Sequence, residues 1–240
     1  MCGGRLEIIP CSHVAHLFRK SFPYNWGRNS ALTHIRNCMR VAEVWMDEYR
    51  HFYYDRTGLT PDKVKIGDIS AQRSLRKSLQ CRSFHWYVQE VYPTLFVPFN
   101  ASAMGPISSQ AAPNLCLQME SHSSGWGQEP SIKQCHPGDN KQYFVLTSKG
   151  QIRRDEECLA YISGSEKITT QWCDGLGDTA LWIYTEANTI EPVHIMITKD
   201  GNTRRHCMTL SSDKTSVYMR PCKRRDPRQK WTWSRKYHTR

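Results

Sequence analysis

The stretch CSHVAHLFRKSFPY, residues 11–24, gathers Cys11, His13 and His16 within six positions and follows them with Arg19 and Lys20. Thiolate and imidazole are the donors a divalent transition metal takes, and a basic pair after them suits a phosphate or carboxylate. A closed zinc site needs a fourth ligand, and no other cysteine/histidine pair supplies one at a recognised spacing. A lone His-x-x-His on an irregular segment is more often packed or solvated than ligating. The chemistry of this stretch therefore depends on what the rest of the chain places beside it.

The 240 residues leave room for two ordinary domains, and a mean hydropathy of -0.64 with 39% hydrophobic residues describes a globular chain. No run of about 18 apolar residues is present, and MCGGRLEIIPCSH has neither the basic nor the apolar region of a signal peptide. Over residues 1–97 the periodicity is helical. In NSALTHIRNCMRVAEVWMDEYRHFYY, Ile35, Met39, Ala42, Trp45, Tyr49 and Phe52 form one apolar stripe, and further helices are expected in DISAQRSLRKSLQC and SFHWYVQEVYP. Residues 98–114, PFNASAMGPISSQAAPN, carry no charge and have the composition of a linker. Asn100 begins the only N-x-[ST] sequon, so it is the expected N-glycosylation site.

Beyond the linker, over 115–238, the pattern changes to short strands and turns with an internal repeat. Cys116 and Cys135, Cys158 and Cys173, and Cys207 and Cys222 lie 19, 15 and 15 residues apart, in the contexts LCLQM, ECLAY and HCMTL. After each second cysteine come a polar turn and an aromatic residue, in QCHPGDNKQYF, WCDGLGDTALW and PCKRRDPRQKW. Units of this size do not bury a core alone, so three stapled units closing around a pseudo-threefold axis are expected. Ten cysteines spread along the chain indicate an oxidising compartment.

The C-L-x motif, the second cysteine and the closing NKQYF and QKW resemble the ricin-type lectin, an all-β β-trefoil; the middle repeat keeps only Trp182. Ahead of it, CGGRLEIIPCSHVAHLFRKSFPY, RVAEVWMDEY and LRKSLQCRSFHWYVQEVYP resemble the C-terminal part of the polypeptide N-acetylgalactosaminyltransferases. That resemblance implies that residues 1–97 are the mainly helical remnant of an α/β GT-A glycosyltransferase domain. The family transfers GalNAc from UDP-GalNAc to Ser/Thr of proteins, with retention, using Mn²⁺ as the Lewis acid at the leaving diphosphate. It implies a metal-ligand role for His16, and UDP contacts for Arg19 and Tyr24; Phe22 departs from a histidine often found in the family. The family's other metal motif, Asp-x-His, is absent from these 240 residues, so the chain alone is expected to be inactive. The resemblance also implies a disulfide between Cys2 and Cys81 beside the three trefoil bridges, leaving Cys11 and Cys38 as odd thiols.

Ricin-type sites take galactose or GalNAc on an aspartate at the third position of C-L-D, and here those positions hold Gln118, Ala160 and Thr209. The first repeat, with Gln118, His136 and Asn140, is the remaining candidate, and weak or absent sugar binding is expected. The implied location is the Golgi lumen, as a type II membrane protein when full-length; the implied partners are UDP-GalNAc and Ser/Thr-rich peptides. The alternative is a non-catalytic carbohydrate-binding or regulatory module. The net charge of +11 comes without any RNP, zinc-finger or helix-turn-helix signature, so nucleic acid is not an expected partner.

Overall fold

The computed structural model describes residues 1–18, 30–120, 127–162, 165–185, 187–192, 196–197 and 203–236. The chain divides into two units, residues 1–54 with 59–95, and residues 55–58 with 96–240.

In the first unit the helices are α1 (Ser30–Trp45), α2 (Arg50–Thr57, whose residues 55–57 count with the second unit), α3 (Ser70–Ser78) and α4 (Phe84–Trp86), the last continuing into a π turn over Tyr87–Val91. The apolar stripe falls where periodicity puts it, with Met39, Ala42 and Tyr49 buried. The helix it implied is nevertheless broken, by a 3-10 turn over Asp47–Tyr49. Asp47 sits at φ 49°, outside the helical region. Three donors hold it there: its carboxylate takes both Arg76 Nη atoms at 2.6 and 2.8 Å and the Phe84 backbone N–H at 2.8 Å. Arg76 also donates to the Val44 carbonyl at 2.6 Å, which ties α3 to the end of α1. Cys2 and Cys81 are bridged, and Arg82 N–H donates to Met1 O at 2.9 Å, so the first residues are fastened beyond α3. Between these anchors and α1, residues 6–18 form no helix or strand, and Leu6, Ile8, Val14, Leu17 and Phe18 are exposed.

The second unit is built from strands β1 (Ala103–Ser109), β2 (Ala112–Gln118), β3 (Ser131–Gln134), β4 (Phe144–Leu146), β5 (Ile152–Arg154), β6 (Glu157–Tyr161) and β7 (Ile168–Trp172). They are followed by β8 (Trp182–Tyr184), β9 (Ile190–Pro192), β10 (Met196–Ile197), β11 (Thr203–Arg204), β12 (His206–Leu210), β13 (Val217–Pro221) and β14 (Trp231–Lys236). Antiparallel pairs β14–β1, β4–β5 and β8–β9 correspond in the three repeats, as do the hairpins β2–β3, β6–β7 and β12–β13. The β10–β11 pair is an addition within the third repeat. Single bridges Ser131–Ser216 and Lys167–Tyr218 link neighbouring hairpins. The three pairs and three hairpins enclose one core, with Leu117, Leu159 and Met208 from the cysteine strands packed among Phe144, Trp182 and Trp231. This is the three-unit closure that the cysteine spacing predicts.

Matching turns carry the symmetry. Gly150 and Asn188, both at positive φ, present carbonyls to the N–H groups of Trp182 and Trp231, each at 2.7 Å. Glycine and asparagine are the residues that tolerate this left-handed backbone at low cost.

The linker expected over 98–114 is not one. Residues 103–109 form β1, flanked by β14, β2 and β4, and residues 112–114 open β2. The uncharged, small-residue composition reflects burial: Ala103, Met104, Ile107 and Ser109 are all nearly inaccessible. At Gly105, with φ at +103°, any Cβ would overlap Ser234 Oγ. Pro106 falls where the β1–β14 register shifts, between Met104 and Ile107, so its missing N–H costs no ladder bond. The sequon residue Asn100 lies just ahead, exposed and at φ 55°, while Ser102 N–H is already paired with Leu146 O at 2.8 Å.

The hydrogen bonds from Arg76 hold the Asp47 carboxyl below the usual carboxylate range, against the opposing effect of burial. A depressed folded-state pKa stabilises above the unfolded value near 3.8 and is lost as the pH falls through the folded value. Asp47→Asn is therefore expected to cost about 1–3 kcal/mol at pH 7. In chemical denaturation at stepped pH, the gap to the parent chain should close below about pH 4.

Candidate functional site

Each repeat of the trefoil ends in the same local construction. A 3-10 turn follows the second cysteine and leads into the barrel strand with the buried aromatic: Asn140–Gln142 before β4, Gly177–Ala180 before β8, and Pro227–Gln229 before β14. In the first and third repeats an aspartate caps the turn, Asp139 accepting from Lys141 N–H at 2.9 Å and Asp226 from Arg228 N–H at 3.0 Å. The last residue of these two turns is a buried glutamine whose amide is used at both ends.

Gln142 accepts from the His136 backbone N–H at 2.9 Å, donates to Gln134 O at 2.8 Å, and donates to Gln118 Oε1 at 3.1 Å. Gln229 repeats the pattern: it accepts from Lys223 N–H at 2.6 Å, donates to Pro221 O at 3.1 Å, and donates to Thr209 Oγ1 at 3.0 Å. In the second repeat both polar partners are replaced together. Ala160 and Ala180 pack with Cys158, Cys173 and Leu176 in a small apolar cluster. The third position of C-L-x is thus coupled to the residue two places before the buried aromatic, as a polar pair twice and an apolar pair once.

That coupling decides what the first-repeat sugar candidates can do. Gln118 is 9% exposed, its oxygen is taken by Gln142, and its Nε2 donates to Glu120 Oε1 at 2.7 Å. Lys141 Nζ holds the other Glu120 oxygen at 2.6 Å. The Lys141 bond first, and the Gln118 bond second, keep the Glu120 carboxyl below the usual range. Asn140 Oδ1 accepts from Arg56 Nε at 3.0 Å, while the Arg56 guanidinium also forms a fork on the Asp155 carboxylate. Burial pushes the Asp155 carboxyl up, but the bonds and charge of Arg56 outweigh this and hold it low. His136 and Asn140 are both exposed, Asn140 with its amide oxygen already taken. A pocket of about 340 Å³ lies beside these groups, lined by Asn140, Lys141, Asp155 and Trp172 among others. Gln118 and Asn140 therefore stand in the same neighbourhood, as expected, but already engaged. Glu120 was not visible as a participant; the signal was its position two residues beyond Gln118, on the same face of the chain.

The other expected residues are not gathered into a site. His16 is exposed and, among the described residues, meets the Phe18 ring, at 4.5 Å edge-on. Arg19, Tyr24 and Phe22 lie outside the described residues. Among the described residues the one cluster with metal-ligand proximity is Glu191 with Cys207 and Cys222, and those two sulfurs are joined to each other. No set of described residues around His16 fits a divalent cation. All four expected disulfides are formed, Cys2–Cys81, Cys116–Cys135, Cys158–Cys173 and Cys207–Cys222, and Cys11 and Cys38 are free thiols. Cys38 Sγ lies 3.6 Å from His34 Nε2, one helical turn away on α1.

Six barrel strands, three hairpins and three stapled turns define a β-trefoil of the lectin type. The Ricin-type beta-trefoil lectin domain family matches residues 103–231, and the chain belongs to that family. Among curated proteins it is similar to polypeptide N-acetylgalactosaminyltransferases. A Drosophila melanogaster relative is 39% identical over 97% of this chain and 34% of its own length. Polypeptide N-acetylgalactosaminyltransferase 5 of Caenorhabditis elegans is 38% identical over 96% of this chain and 35% of its own length. The chain thus spans about a third of the length of these relatives. A solved structure, GalNAc-T7 with UDP, GalNAc and Mn²⁺, superposes with a TM-score of 0.59 at 23% identity. That match covers 83% of this chain and 35% of the other, and bears on the fold alone.

The glutamine coupling is testable by a double-mutant cycle. Gln229→Ala leaves the Lys223 N–H, the Pro221 carbonyl and Thr209 without their partner, and is expected to cost about 2–3 kcal/mol in urea unfolding. Thr209→Ala should cost about 1 kcal/mol. The double variant, which copies the Ala160/Ala180 pair, should be less destabilised than the sum by at least about 0.5 kcal/mol.

Proposed function

We propose that this chain is the C-terminal portion of a polypeptide N-acetylgalactosaminyltransferase, working within an enzyme that transfers GalNAc from UDP-GalNAc to Ser/Thr of proteins. The observation that carries this reading is the reach of the similarity. It runs over 96–97% of the chain, well beyond residues 103–231, so it includes the helical unit that a lectin domain alone does not need. The Cys2–Cys81 bridge, implied by the family resemblance, supports it from within that unit.

In this reading residues 1–97 are the helical remnant of the GT-A domain. Manganese, when bound in the whole enzyme, supplies Lewis-acid stabilisation of the leaving diphosphate. His16 would be one of its ligands, and Arg19 and Tyr24 would contribute to UDP binding. Because His16 stands without a second ligand among the described residues, no catalytic step is assigned to this chain by itself. The 240 residues alone do not transfer GalNAc. The trefoil is mainly a structural companion, with Gln118, His136 and Asn140 giving weak or no GalNAc binding, since two of the three are already hydrogen-bonded. Asn100 carries an N-glycan, and the enzyme resides in the Golgi lumen as a type II membrane protein when full-length.

Two measurements test this. The chain incubated with UDP-GalNAc, Mn²⁺ and a Ser/Thr peptide should give no glycopeptide by mass spectrometry. A chimera that joins it to the preceding part of the Caenorhabditis elegans relative should be active, and His16→Ala should lower that activity by at least about tenfold, since even the loss of a group that only orients a metal ligand costs about that much. An inactive but well-folded chimera, or one indifferent to His16, refutes the assignment. The weak-lectin expectation fails if the chain is retained on immobilised GalNAc and released by free GalNAc.

A further inference from the structure

The threefold repeat supplies an internal control on surface charge. The turn between the second cysteine and the buried aromatic has the same backbone role three times, but its side chains differ sharply. In the first repeat it carries Asp139 and Lys141; in the second, Asp174 and Asp178 with no cation. In the third it carries Lys223, Arg224, Arg225, Arg228 and Lys230 against the single Asp226.

What the fold needs from this turn is visible across the three copies: a closing residue in each and, in the first and third, a capping aspartate. In the third repeat Asp226 provides the cap and is bound by the Arg228 guanidinium at 2.9 Å, so this arginine is committed locally. Lys223 serves the turn through its backbone N–H, not its ammonium. Lys223, Arg224 and Arg225 are exposed, and among the described residues their side chains make no ion pair or hydrogen bond. Three consecutive cations on one rigid turn, kept together against their mutual repulsion, have no structural task that the second repeat does not accomplish with none.

We propose that this third-repeat turn is a docking surface for a sulfated polysaccharide, with Lys223, Arg224 and Arg225 as the contacts. Two arginines and a lysine match the spaced, fully ionised sulfates of such a chain, and arginine's planar fork pairs with an oxyanion in two-point fashion. Four disulfides place the folded chain in an oxidising compartment, where sulfated glycans occur and nucleic acid does not. A membrane is the poorer fit. Among the described residues of the third repeat no large apolar side chain is exposed to enter a bilayer beside the cations.

The test is binding of the 240-residue chain to immobilised heparin over a salt series. The parent chain should bind at 150 mM salt, with an affinity that falls steeply as salt rises. Lys223→Glu/Arg224→Glu/Arg225→Glu should weaken binding by at least about tenfold, and the slope of log affinity against log salt should drop by about 2–3, as expected for lost ionic contacts. Lys65→Glu/Lys133→Glu/Lys149→Glu changes the net charge equally at exposed positions elsewhere, and should leave most of the binding intact. If the triple reversal unfolds the chain, Arg224→Gln/Arg225→Gln gives the same reading with a smaller effect. Equal losses for the two triple variants would show a diffuse charge effect and overturn the proposal. So would equal binding to unsulfated hyaluronan, or a turn-dependent binding to phosphatidylserine vesicles or duplex DNA in place of heparin.

Discussion

The pairing of β1 with β14 is the constraint on which the trefoil rests. Residues 103–109 and 231–236 are the two ends of the repeat array, more than a hundred residues apart, and their ladder joins the last repeat to the first. No single repeat contains enough apolar surface to exclude water from Phe144, Trp182 or Trp231; each aromatic is buried only because the other two repeats stand against it. Closure therefore has a high entropic cost before it returns any burial. The three trefoil disulfides offset part of that cost by holding each repeat's cysteine strand beside its returning turn, across loops of 15 to 19 residues.

Within that closed frame the turns divide into parts that build and parts that are free to vary. The glutamine amide, its two backbone partners and the third residue of C-L-x are building parts, which is why Gln118 is a poor stand-in for the aspartate of a sugar site. Its hydrogen-bonding capacity is spent inside the fold, on Gln142 and Glu120. Side chains that project from the same turns, such as those of residues 223–225, carry no such duty.

How far the sequence could be read follows from how local each determinant is. Cysteine spacing and the recurring aromatic are periodic, so the three-unit closure and all of its bridges were legible. β1 was misread because a strand enclosed by three neighbours must be made of small uncharged residues, and out of context that composition is indistinguishable from a linker. The break at Asp47 was illegible for a different reason. Its left-handed backbone is fixed by Arg76 and Phe84, about 30 and 37 positions away, and nothing in the local apolar stripe announces it. Gln118, His136 and Asn140 were found by position within a motif, whereas the groups that occupy two of them, Glu120 and Arg56, lie outside that motif.

The second repeat, where Ala160 and Ala180 replace the polar pair, bears on the history of the chain. A lineage moving between the two arrangements by single substitutions has to pass through a form with one buried polar group abandoned. Neither residue is neutral to drift while its counterpart stays fixed. Such a passage is open only to a domain with stability in reserve, and the disulfide at Cys158–Cys173 sits beside Ala160 and Ala180. A covalent staple at that place is a scaffolding under which a repeat can exchange its interior while the common fold endures.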